Sequence, residues 1–199
     1  MTGRVSFVRS ACIIAAVFAL VSVARAQAPS DFHGDPDKSM ANAHESFVKG
    51  DMNKAAEHIQ KAAAYVKKEA DKVAKESKDS VLKASDQLSK LGAEVKKGAV
   101  KSGDELKKTF AQVDHVRAKA WHATAEQTQK TGKDATAALK SAGEGLEGAA
   151  KWSGHQLQTG TQATVDGLKK AGKVSKDEVG KFFKGLGDGI ADLGQKLSS

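Results

Sequence analysis

Imidazole is the side chain through which this chain could do chemistry. His44, His58, His115 and His122 fall in stretches that read as helices, and His115 and His122, seven residues apart, share one helical face. Glu45, Glu57 and Asp114 sit beside them. Facing helices of a bundle can bring such groups together as a metal or haem site, since imidazole is a good ligand for transition metals. The spacing carries no HExxH, ExxH or CxxCH pattern, however, so scattered surface histidines are the commoner outcome and no cofactor is expected. His33 lies in a leader segment, and His155 occupies a polar position of a repeat described below. The serines and threonines stand at helix starts or within that repeat, without a GxSxG-type context. GEGLEG (143–148) and GLGDG (185–189) follow no strand, so they are not phosphate loops. They are glycines inside amphipathic patterns, each costing ~1 kcal/mol of helix stability relative to alanine. No catalytic residue emerges, and a non-enzymatic role is expected.

The elements that would position these groups are helices. Beyond Pro36 the chain has no proline, alanine and lysine dominate, and alternating Val/Ile/Thr runs are missing. The pattern predicts an all-α fold. A first helix is expected over about Lys38–Lys49, with Met40, Ala43 and Phe47 on one face and Gly50 ending it. Asp51 can cap a second helix, whose apolar positions from Ala55 to Val95 step by three or four without a break. One helix from Asp51 to about Lys97 is the simplest reading, ~70 Å long at 1.5 Å per residue, with Ser77–Ser80 as its weakest point. Ser102-Gly103-Asp104-Glu105 is a capping box for a third helix carrying Leu106, Phe110, Val113, Ala120 and Trp121. A short connection should fold these two back antiparallel into an elongated helical hairpin or bundle over residues 38–131.

From Gly132 to Leu197 the chain repeats every eleven residues. The fourth position is apolar in every copy (Ala135, Leu146, Leu157, Leu168, Val179, Ile190), and the ninth is lysine or glutamine. Eleven residues fill about three helical turns, so each position keeps its azimuth and an amphipathic stripe results. A second capping box, Ser175-Lys176-Asp177-Glu178, opens a terminal helix whose stripe is Val179, Phe182, Phe183, Leu186, Ile190, Leu193 and Leu197. That is the most apolar surface beyond the N-terminal segment and the sharpest candidate for binding a lipid surface or a partner; core packing is the commoner fate of such a stripe.

Residues 1–26 read as a cleaved secretory signal: Arg4 and Arg9, an uncharged apolar run from Ala11 to Val23, and Ala24-Arg25-Ala26 as the cleavage pattern. A periplasmic or secreted protein is expected, cut after Ala26. Residues 27–37 then form a flexible, partly disordered leader, and 132–199 an amphipathic helical tail. Cleavage removes three arginines and no acid, taking the formal charge from +8 to +5, and also removes the one cysteine. The remaining lysines alternate with acids, as in KKEADKVAKESKD, which is a solvated face rather than a nucleic-acid surface.

The eleven-residue repeats of 132–197 resemble those of exchangeable apolipoproteins and of late-embryogenesis-abundant proteins. That resemblance implies elongated helices that cover lipid surfaces or protect other molecules. Here the lysines at 140, 151, 173 and 184 lie near the middle of the polar face rather than at its edge, a departure from the apolipoprotein pattern. KAAAYVKKEA, KKGAVKSGDEL and AAKWSGHQL also resemble segments of exported bacterial helical proteins of no assigned activity. The expectation is therefore a structural or interaction protein of the cell envelope that self-associates or binds an envelope protein. An anionic membrane surface is the alternative partner, and a histidine-based metal or haem bundle the second alternative.

Overall fold

A computed structural model describes residues 35–198; the expected signal segment, and the leader up to residue 34, lie outside the described residues. Every element in this span is helical: α1 (Asp35–Val48), α2 (Met52–Glu69), α3 (Lys75–Lys96), α4 (Gly103–Lys130), α5 (Thr136–Ser153), α6 (Thr159–Lys170) and α7 (Lys176–Ser198). The all-α expectation holds.

Helix ends follow local chemistry. Gly50, Gly98, Gly132 and Gly154 adopt positive φ between 68° and 81°, the left-handed conformation that closes a helix and that glycine reaches without a Cβ clash. Asp51 caps α2 by accepting the Lys54 amide at 3.0 Å. Ser102 accepts the Glu105 amide at 3.3 Å, while Glu105 reaches back to the Lys101 amide rather than to that of Ser102. At α7 the Glu178 carboxylate takes both the amide and the hydroxyl of Ser175.

Two expectations are corrected. The first helix begins at Asp35, so Pro36 and Asp37 belong to its first turn and not to the leader; proline suits that turn because its missing N–H has no helical partner there. The uninterrupted helix over 51–97 is instead two helices, and the break falls at Ala70–Ala74 rather than at Ser77–Ser80. α2 and α3 lie antiparallel: Gln60 Nε2 donates to Ser89 O at 2.8 Å, Ser85 Oγ donates to Ala63 O at 2.9 Å, and Gly92 lies against Gln60 and Ala56. The break is held from outside. Glu69 is gripped by Arg117, and the Ala74 amide, free at the start of α3, donates to Thr124 Oγ1 of α4 at 2.7 Å. Such tertiary partners override the high helix propensity of an alanine-lysine run, because propensity counts for little against tertiary context. The long hairpin is thereby replaced by shorter helices packed round a central one.

That central helix is α4. Leu106, Phe110, Val113 and Ala120 join a core with α1, α2 and α3. Ala118 and Ala125 join a second core with α5, α6 and α7, and half-buried Trp121 packs against it. Trp152, from the end of α5, reaches into the first core and meets Phe110 edge-on, with ring centroids 5.1 Å apart. The repeat register survives its interruptions: Ala135, Leu146, Leu168, Val179 and Ile190 are all buried, while Leu157, in the α5–α6 connection, is half-buried. Among the described residues, no helix is long and apolar enough to cross a membrane.

Candidate functional site

The most concentrated chemistry lies where α1, α2, α4 and α5 meet. Arg117 projects from the apolar stripe of α4, is only 3% exposed, and spends its guanidinium on three carboxyls. Glu69 accepts from Nε at 2.8 Å and from the second terminal nitrogen at 2.9 Å, a bidentate pairing. The other terminal nitrogen donates to Asp37 Oδ1 at 2.9 Å and to Asp114 Oδ1 at 2.7 Å. Asp37 and Asp114 are sealed, at 1% and 0% exposure, and their Oδ2 atoms have no hydrogen-bond donor among the described residues. Gly148 of α5 forms the roof, so close that a Cβ there would stand 2.5 Å from Asp114 Oδ2 and 3.3 Å from Asp37 Oδ1.

Electrostatics follow from this geometry. Burial pushes the Asp114 carboxyl well above the carboxylate range, and the neighbouring Asp37 charge adds to it. Burial also raises Asp37, against the pull of Arg117. Burial works against the Arg117 charge, but Asp37, Glu69 and Asp114 outweigh it and hold the guanidinium as a cation. The arrangement ties α1, α2 and α4 through one side chain.

The four histidines are not brought together. His44 of α1 is buried against Trp152 at 5.8 Å between ring centroids, with Gly103 beside its Nε2, and its Nδ1 has no hydrogen-bond partner among the described residues. Burial lowers its pKa, and Lys107 lowers it further. His58 is half-buried on α2. His115 and His122 do share a face of α4, and both are used on α7: their Nε2 atoms donate to the carbonyls of Ile190 at 2.9 Å and Phe183 at 3.1 Å. A carbonyl only accepts, so each ring carries its proton on Nε2. Glycine leaves room for the His115 bond, while the His122 bond has ordinary van der Waals space. Four residues beyond each acceptor stand Gly194 and Gly187, where a Cβ would lie 3.0 Å and 3.6 Å from the respective imidazole nitrogen. Two histidines seven apart on α4 thus bind two carbonyls seven apart on α7. Among the described residues, no three His, Cys, Asp or Glu side chains are placed to hold a metal ion.

The α7 stripe turns inward. Val179, Leu186, Ile190 and Leu193 are buried in the second core; Phe182, Phe183 and Leu197 pack at its edge, half-buried. Between α5 and α6 lies a half-open cleft of about 300 Å³ lined by Lys140, Gly143, Glu144, Val165, Leu168 and Lys169.

Sequence reasoning overlooked the Arg117 cluster, yet a sign of it was present. Arg117 is the only arginine beyond residue 26, in a chain otherwise supplied with lysine. It stands at helical spacing between Val113 and Ala120, on the buried stripe. A planar fork that pairs carboxylates bidentately is what such a position requires.

Fold and cluster together define an all-α bundle built round a central helix and tied by a buried ion network. No protein family, no curated protein and no solved structure matches this chain.

Proposed function

We propose that this chain is a non-enzymatic structural or interaction protein of the cell envelope, presenting solvated helical faces to a second copy or to an envelope protein. The observation that carries this reading is the use made of the reactive groups. Arg117 with its carboxyls, and His115 and His122, are spent on joining helices to one another, as a scaffold requires. The outer faces carry lysine–acid pairs at helical spacing, such as Lys61–Glu57 and Lys184–Asp188, which keep a helical surface hydrated. Cross-linking of the full chain, followed by sizing and mass identification, tests this. The reading expects a discrete homo-oligomer or one recurring partner; a chain that remains monomeric and unlinked in envelope extract sinks it.

A second reading, a peripheral lipid-binding protein, draws support from one edge of α7. Phe182 and Phe183 are only half-buried there, with exposed Lys181 and Lys184 alongside, the composition of a helix that lies at a bilayer interface. Flotation with anionic vesicles separates the two. Binding that is lost on deleting 176–198 favours the lipid reading, and no binding leaves the scaffold reading alone.

A further inference from the structure

We propose that α1 is a proton-dependent latch: one proton shared between the Asp37 and Asp114 carboxyls fastens it to α4, and loss of that proton frees α1 while the rest of the bundle stays folded. The geometry calls for the proton. One guanidinium nitrogen serves both Oδ1 atoms, and the two buried Oδ2 atoms, that of Asp114 shut in under Gly148, have no donor among the other described residues. Two sealed carboxylates side by side repel each other, and a carboxyl donating to its neighbour removes that repulsion. Among the described residues, the charged groups facing the pair are Glu69 from α2 and Arg117 from α4, with Gly148 closing over it from α5. Glu69 adds a third negative charge on the same guanidinium, so Arg117 cannot neutralise the pair. The raised pKa values of both aspartates agree with a pair that keeps its proton well above the usual carboxyl range.

Of the elements meeting there, α1 is the one that can leave. Asp114 sits in mid-α4, between the two cores, and cannot reach water unless both cores open. Asp37 sits in the first turn of α1, which is joined to α2 through the turn at Lys49–Asp51, packs mainly on α2 and α4, and touches α5 at Trp152 and Gly148. Swinging α1 outward hydrates Asp37, leaves Asp114 with Arg117, and uncovers Met40, Ala43, Phe47 and the His44 face of Trp152.

Trp152 is therefore the reporter. In the full chain carrying Trp121→Phe, tryptophan emission and far-UV circular dichroism are followed from pH 5 to pH 10. The inference expects a red shift of Trp152 at a pH where most helix is retained. It also expects the folding constant to fall by up to tenfold per pH unit while the folded pair keeps its proton and the unfolded chain does not, and to level off once the pair has titrated. Asp114→Asn, whose amide donates as the protonated acid does, should abolish the shift; Asp37→Asn is the equivalent variant should the first not fold. An unshifted parent, a shift that coincides with loss of all helix, or a variant with the parent's profile would each overturn it.

Discussion

Two glycine-to-alanine substitutions should move stability in opposite directions, and the difference measures how closely α4 and α5 pack. Gly180 and Gly145 both lie inside helices, so alanine gains ~1 kcal/mol of helix propensity at either. A Cβ at Gly180 meets nothing within 4 Å, and Gly180→Ala keeps that gain. A Cβ at Gly145 would stand 2.9 Å from the Ala118 amide nitrogen, 3.0 Å from Asp114 O and 3.2 Å from Ala118 Cα. These are backbone atoms in the middle of α4 and cannot rotate away, so α5 itself must retreat by roughly half an ångström to restore van der Waals contact. Overpacking of that kind costs about 1–3 kcal/mol, and the retreat also lifts Gly148 off the carboxyl pair. Gly145→Ala should be net destabilised by about 1–2 kcal/mol, Gly180→Ala stabilised by up to ~1 kcal/mol. Urea unfolding at pH 7, followed by helical circular dichroism, reads both from the shift in midpoint at constant slope. Equal midpoints for the two variants would refute the close approach of α4 and α5, and with it the sealed roof over Asp37 and Asp114.

Removing the guanidinium leaves two buried carboxyls and the half-buried Glu69 without their cation, so Arg117→Met should destabilise by about 3–5 kcal/mol in the same urea assay. Arg117→Lys keeps the charge but loses the fork, and should fall between Arg117→Met and the parent. Each imidazole-to-carbonyl bond holding α7 is worth about 1 kcal/mol net. Accordingly, His115→Ala and His122→Ala should each accelerate amide exchange in α7 while leaving α2 and α3 unchanged, and Gly194→Ala, whose methyl would meet the His115 ring at 3.0 Å, should mimic His115→Ala. His44 and His115 both have pKa values lowered from the ordinary 6.5 by burial, His44 further by Lys107 and His115 against the pull of the Ile190 carbonyl. Their contribution to stability is whole above pH 6.5 and is lost as pH falls through the lowered values, because the unfolded chain then binds protons that the folded one refuses. His44→Phe should therefore be less acid-sensitive than the parent, seen as a midpoint difference that grows in its favour from pH 7 to pH 5.

Much of the fold was legible because it rests on local rules. Capping residues at Asp51, Ser102 and Ser175 and the glycines at 50 and 98 mark helix ends through the first and last turns alone. Eleven-residue spacing fixes which faces of α5, α6 and α7 turn inward, whatever covers them. What escaped was set by distant partners. The apolar steps through Ala70 and Val73 run on as if the helix did, and the break comes from Arg117 and Thr124, 48 and 50 residues away from the atoms they hold. His115 and His122 stand out in the sequence as a pair on one helical face, but what they bind is backbone, and a main-chain carbonyl leaves no mark on hydrophobic periodicity.

Repetition also explains why such partners are needed. A stripe that recurs every eleven residues presents much the same apolar face after a slide of one repeat, and stripes made largely of alanine distinguish poorly between one register and the next. Packing alone would leave α7 several comparable seats on α4. A slide of α7 by eleven residues keeps apolar residues facing inward but separates both imidazoles from their carbonyls, since those bonds demand acceptors at positions 183 and 190 together. Arg117 does the same for the other half of the bundle: it accepts only the register in which the start of α1, the end of α2 and the middle of α4 arrive at one point. Polar groups sunk in a repetitive apolar interior cost stability and select a single arrangement. That division of labour accounts for a chain in which Arg117, Asp37 and Asp114 are buried and His115 and His122 are spent on backbone.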